Sequence, residues 1–171
     1  MRTAAFLTLT LLLLSANTMA QTVKYDTLRD PENGQQTYRG TFGFRELLSD
    51  TAFHWMQDGV TAYVPNAAAT AYLKERLGKY RLVIFMGTWC DDSHNLIPKL
   101  YKVLTTIGYP TGNMQLYGVD RSKTTGTEAE QKWKVLFVPS IIVLDGDKEV
   151  GRITESVDKS VEEDLGRILG R

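Results

Sequence analysis

The chain has 171 residues, with 20 basic side chains against 20 acidic ones and a single cysteine. That length suits one domain with a sizeable core plus additional segments. The balanced charge gives no footprint for nucleic acid or for an anionic membrane surface.

Residues 1–20, MRTAAFLTLTLLLLSANTMA, set one basic residue, Arg2, before an apolar run centred on Leu11–Leu14, and end on small residues at Thr18 and Ala20. This is the pattern of a secretory signal peptide cleaved after Ala20. Its run is shorter than the ~20 apolar residues a bilayer-spanning helix needs. No cysteine lies near the cleavage point to carry a lipid. Without residues 1–20 the chain keeps 19 basic and 20 acidic side chains and has no membrane span, so the expected location is exported, periplasmic or extracellular. In such an oxidising compartment structural cysteines come in pairs, so Cys90 is either buried and inert or exposed and reactive.

Residues 21–65 read as an N-terminal extension. VKYDTL and QTYRGTF alternate about the turn signal DPENG, Asp30 to Gly34, where Pro31 presets φ and Gly34 permits a positive one, which predicts a hairpin. FRELL and FHWMQDGV look helical, and VTAYV suits either state. From Asn66 the signals become regular. A helix opens at Pro65 and Asn66, turns Tyr72, Leu73 and Leu77 inward and closes at Gly78. The strand YRLVIFMG follows. The next helix carries Leu96, Leu100, Val103, Leu104 and Ile107 on one stripe, contains Pro98 and ends at Gly108.

MQLYGVD is then a strand, and Thr127 with Glu130 forms a capping box for a short helix that includes Trp133. PSIIVL and EVGRIT are strands joined across DGD. Ser160 with Glu163 caps a last helix whose stripe is Val161, Leu165, Ile168 and Leu169. Helices set between strands predict parallel pairing with both faces covered, and the final hairpin adds an antiparallel edge. The expected architecture over 66–171 is a compact α/β layer sandwich.

Over roughly residues 66–170 the chain resembles the thioredoxin family. The matching residues are Trp89 and Cys90 at the strand-to-helix turn, Pro98 within the following helix, Asp120 ending the next strand, and Val138-Pro139 opening the strand of the final hairpin. The resemblance implies a thioredoxin-like three-layer α/β/α sandwich with a mixed sheet. It also implies a cis Val138-Pro139 peptide beside the Cys90 sulfur, where the family binds extended substrate chains, and a surface position for Trp89. Two departures matter. Ser93 stands where dithiol members have a second cysteine, and Ile84 stands where many bury an acidic residue.

A cysteine at a helix N-terminus feels the positive end of the helix dipole, which favours thiolate. The carboxylates of Asp91 and Asp92 oppose a second anion at the same turn. Ser93 is expected to donate its hydroxyl to that thiolate, and His94 to face solvent as a neighbouring imidazole that modulates it. With no second thiol, a mixed disulfide is released by the substrate's own thiol or an external one, the logic of isomerisation or thiol-dependent reduction. The expected partners are protein or small-molecule thiols and disulfides, held beside Trp89, Val138 and Pro139. No cofactor and no metal are expected, since His54 is the one other imidazole and nothing in the sequence places it near Cys90. Thiol peroxidase chemistry lacks a threonine three residues before Cys90, where Gly87 stands. The alternative is a binding module of the same fold that holds an extended segment beside Pro139 without turnover.

Overall fold

A computed structural model of the protein describes residues 23–170, so the expected signal peptide lies outside the described residues. The elements run β1 (Lys24–Arg29), β2 (Gln36–Phe42), α1 (Phe44–Ser49), α2 (His54–Ala62), α3 (Ala67–Arg76), β3 (Arg81–Met86), α4 (Asp91–Ile107), β4 (Met114–Gly118), α5 (Ala129–Lys132), β5 (Ser140–Asp145), β6 (Lys148–Thr154) and α6 (Val161–Ile168). The strands form one six-stranded mixed sheet in the order β1-β2-β4-β3-β5-β6. The fold is an α/β/α sandwich with a mixed sheet, with β3, β4, β5 and β6 carrying the expected strand-helix-strand and hairpin units.

β3 sits at the centre and is apolar on both faces. Leu82, Ile84 and Met86 enter one core, with Leu116, Ile141 and Val143 from the neighbouring strands. Val83 and Phe85 enter the other, with Tyr117, Ile142 and Leu144. A strand buried on both faces reads as a continuous apolar run, which is why RLVIFM shows no alternation. The two layers are unequal. α4 and α6 pack together on the first face, with α3 against both and α2 against α4. The second face is covered by α5 and the chain around Val119, Val135 and Val138.

Parallel pairing is confined to β3 and β4, whose connection is the long helix α4. β5 also follows a helix, yet runs antiparallel to β3, contrary to the expectation from helices between strands. The reason is the path of the chain: α5 is four residues long, and the segment around it covers the second face without returning to the start of β3, so β5 enters at the end where β3 and β4 finish.

Local signals set the element ends. The Asn66 side chain accepts from Ala69 N at 3.0 Å to start α3, and Ser160 Oγ accepts from Glu163 N at 3.3 Å to start α6. Gly108, at φ 68, ends α4, its N–H reaching back to the Leu104 and Thr105 carbonyls. The expected capping box at Thr127 is displaced. Glu130 reaches back to Thr125, accepting its N–H at 3.1 Å, because Glu128 takes a left-handed conformation at the helix start. Trp133 accordingly falls just past the end of α5.

Residues 24–62 share the sheet and the first core. β1 and β2 form the expected antiparallel hairpin, and β2 pairs antiparallel with β4. Phe42, Phe44, Leu47, Phe53 and Met56 are all buried in the same cluster as Ile84 and Leu100. This arrangement carries the β1–β2 turn to the C-terminal end of β3, beside the single cysteine.

Candidate active site at the β3–α4 turn

β3 ends at Met86, and the chain folds tightly before α4. The Cys90 N–H donates to the Gly87 carbonyl at 3.0 Å, and the Cys90 carbonyl accepts from His94 N at 3.0 Å as the first bond of the helix. Cys90 is therefore the N-cap residue of a 17-residue helix, and its side chain is not used as a cap. The sulfur lies near the positive end of the α4 dipole, where charge of the thiolate sign is favoured. Cys90 is half-buried and unpaired.

The Cys90 thiol donates to the Val138 carbonyl, with Sγ 3.4 Å from the oxygen across 48 residues of chain. The Val138-Pro139 peptide is cis. Val138 and Pro139 are themselves buried, whereas Leu136 and Phe137 just before them are 71% and 49% exposed. The apolar surface next to the thiol is thus offered by Leu136 and Phe137.

Two expectations need correction. Ser93 is fully buried, and its Oγ accepts from Gly87 N at 3.2 Å, its recorded bond, in place of the expected bond to Cys90. The first turn of α4 presses Ser93 under the end of β3, where the Gly87 N–H needs an acceptor. His94 is half-buried instead of solvent-facing: its ring stacks on Trp55 at 4.2 Å, its Nε2 meets the Thr88 carbonyl at 2.7 Å, and its Nδ1 lies 3.9 Å from Asp91 Oδ1. Since a carbonyl only accepts, Nε2 carries the proton. His54 lines the same cleft as His94, and Cys90 is not among the residues of that cleft. Asp91 and Asp92 are exposed, as expected of carboxylates at a helix N-terminus, and solvent weakens their influence on the sulfur.

That cleft, about 490 Å³, lies between the β1–β2 turn, the start of α2 and the Thr88–Trp89 turn, with Trp55, Trp89, His54 and His94 among its walls. Thr88 is buried and joins the parts. Its Oγ1 accepts from Tyr38 N at 3.1 Å and donates to the Gln36 carbonyl at 3.4 Å, tying β2 to the turn that carries Cys90.

Trp89 is half-buried beside Cys90 on the rim of the second core. Its Nε1 donates to the Val119 carbonyl at 2.8 Å, and the Arg121 guanidinium lies 4.5 Å from its ring centroid. Arg121 is held from the far side by Asp30 and Glu32 of the β1–β2 turn, at 2.8 Å and 3.0 Å. Sequence reasoning missed Arg121, Asp30 and Trp55. DPENG carries a turn signal that accounts for Asp30 locally, and nothing in the sequence links it to a guanidinium 91 residues on.

Among the described residues no group of three or more histidine, cysteine or acidic side chains gathers as a metal site, and no helix is long and apolar enough to cross a membrane. No family model and no curated protein matches the chain. Among solved structures it is similar to an HIV epitope-scaffold, at 19% identity over 68% of this chain and 72% of that one, with a TM-score of 0.43. It is similar to a protein of unknown function from Pseudomonas aeruginosa, at 17% identity over 77% and 83%, with a TM-score of 0.49. It is also similar to a thioredoxin of Fasciola hepatica, at 24% identity over 57% and 88%, with a TM-score of 0.41.

Proposed function

We propose that the chain is a thiol–disulfide exchange protein acting through one nucleophilic cysteine, Cys90. The observation that carries this reading is the placement of the sulfur: half-buried at the N-terminus of α4 and 3.4 Å from the Val138 carbonyl, beside the cis Val138-Pro139 peptide. In the first step the Cys90 thiolate attacks one sulfur of a substrate disulfide. A Cys90–substrate S–S bond forms, the original S–S bond breaks, and the other substrate sulfur leaves as thiolate. In the second, that thiolate or an external one attacks the substrate sulfur of the mixed disulfide and expels the Cys90 thiolate. Return of the substrate's own thiol isomerises with no net change of oxidation state, whereas two external thiols are oxidised as the substrate disulfide is reduced. An oxidising compartment outside the cytoplasm, reached through the signal at residues 1–20, is where such disulfides persist.

Wild-type protein incubated with glutathione disulfide near neutral pH is expected to gain one mixed disulfide by intact mass, lost again on adding thiol. Cys90→Ser should form no adduct. Ser93→Cys should form an internal disulfide, release the adduct faster and reduce insulin when a reductant is supplied. Absence of any adduct on the wild type at about pH 8, near the ordinary pKa of a free thiol, would sink the exchange reading. A second reading, a non-catalytic module that holds an extended apolar segment, draws on the exposed Leu136 and Phe137. It requires that C90S bind a partner as tightly as the wild type does.

A further inference from the structure

We propose that Arg121, clamped by the β1–β2 turn onto the face of Trp89, is the positioning residue of the Cys90 site. Its fixed charge favours both the thiolate that attacks a disulfide and the thiolate that leaves the mixed disulfide. The inference rests on the exchange reading above and names the group that tunes it.

The clamp is built from the turn outward. Asp30 has no exposed side-chain surface, and its carboxylate spends Oδ1 on the N–H groups of Glu32, at 2.8 Å, and Asn33, at 3.3 Å. Oδ2 is thereby aimed at Arg121, accepting from Nε at 2.8 Å. Glu32 takes Nη1 at 3.0 Å. With two edges held, the guanidinium is fixed in one plane, and that plane lies over Trp89 at 4.5 Å. The indole cannot swing away, because its Nε1 is tied to the Val119 carbonyl two residues before Arg121. Nη2 makes no hydrogen bond among the described residues, so the guanidinium keeps both N–H groups of that nitrogen in reserve. A planar, permanently charged fork is the group suited to such a stacked and doubly held position.

The other charged groups around the turn are exposed or engaged elsewhere: Arg29, which lines the cleft with Trp89 and Asp91, is exposed and donates to the Gly34 carbonyl at 3.3 Å. Asp91 and Asp92, on α4, are exposed. The Asp120 carboxylate is engaged by Thr124 and Arg39. The imidazole of His94 is turned to the Thr88 carbonyl and Trp55. The segment from Leu136 to Pro139, on the other side of the sulfur, carries no charge. Arg121 is held toward its charged form first by the hydrogen bond to Asp30, then by the charges of Asp30 and Glu32, and also by that of Cys90 itself.

The experiment is iodoacetamide alkylation of Cys90, followed by intact mass across pH, in wild type, Arg121→Gln, Arg121→Lys, Asp30→Asn and the D30N/R121Q double variant. R121Q is expected to alkylate roughly three- to tenfold more slowly than wild type near neutral pH. The two rates should converge at high pH, where the thiol is ionised in both. R121K should lie between them. D30N should slow the neutral-pH rate less than R121Q, and the double variant should be no slower than R121Q, because Asp30 acts through Arg121. Equal neutral-pH rates in R121Q and wild type would overturn the inference, as would a slowing by the same factor at every pH, which signals altered access. If R121Q does not fold, D30N gives the same test, since it keeps the charge and removes its tether. Glutathione mixed-disulfide formation separates the two ideas. A wild type that forms adducts with R121Q unchanged in alkylation defeats the role of Arg121 alone. A wild type without adducts, in which R121Q still alkylates slowly only near neutral pH, defeats the exchange reading alone.

Discussion

At the scale of single residues, two buried hydroxyls hold the candidate site in shape. Ser93 stands where a dithiol protein would place its second sulfur, and its Oγ accepts the Gly87 N–H at the turn leading to Trp89 and Cys90. Removing the hydroxyl leaves that buried N–H without its recorded acceptor, a loss that costs about 1–3 kcal/mol. Ser93→Ala is therefore expected to lower the urea midpoint with an unchanged slope, while Cys90 stays available for alkylation. Unaltered stability in S93A would show that water replaces the hydroxyl. Thr88 plays the matching part for the hairpin through Tyr38 N and the Gln36 carbonyl.

Among the elements, the junction of β2 with β4 decides where the hairpin lies. Gly40 and Gly118 face each other in the register, and the strands meet so closely there that a Cβ on Gly118 would strike the Tyr38 carbonyl oxygen and lie 2.6 Å from Phe42 Cε1. Both obstacles belong to β2, one of them backbone, so the strand itself must move. Gly118→Ala should cost about 1–3 kcal/mol by overpacking. Gly78, which has nothing within 4 Å of its would-be Cβ, is the control: Gly78→Ala should change stability by no more than about 0.5 kcal/mol. Equal midpoints for the two variants in denaturant titration would mean that β2 is free to shift. Displacing β2 also carries Asp30 away from Arg121, so G118A should share part of the alkylation phenotype of D30N.

On the scale of the whole molecule, several carboxylates engaged in hydrogen bonds, some of them across distant segments, are held below their ordinary range. Burial raises Asp30, but the Arg121 hydrogen bond and the N–H groups of Glu32 and Asn33 outweigh it. The Tyr38 hydroxyl is the first cause that lowers Asp50. Burial of Asp120 is outweighed by Thr124 and Arg39, and that of Glu130 by Thr125. A depressed carboxylate contributes stability that is present above its unfolded pKa, about 4, and is lost as pH falls through the folded value. The melting temperature should accordingly be flat near neutral pH and fall steeply below about pH 4. Asp30→Asn should start lower and fall less steeply, because one of the titrating groups is gone. A D30N curve parallel to wild type through the acid limb would show that Asp30 is not among the groups that set it.

The sequence by itself determined what depends on near neighbours along the chain. The strand entering Cys90, the helix leaving it, the Gly108 stop, the Asn66 and Ser160 caps and both hairpin turns follow from a continuous apolar run, from helical periodicity, from turn residues and from side chains that bond backbone within a few residues. The resemblance carried by Trp89, Cys90, Pro98 and Val138-Pro139 supplied the α/β/α layering and the meeting of Cys90 with Val138. Only the tertiary structure decided which polar group answers which. The Ser93 hydroxyl went to Gly87, the His94 ring to Thr88 and Trp55, and the Asp30 carboxylate to Arg121 across 91 residues. A local signal fixes the direction of the backbone, but a buried donor or acceptor must pair with whatever group the packing sets opposite it. That partner is chosen by the order of strands in the sheet, here by β2 lying against β4.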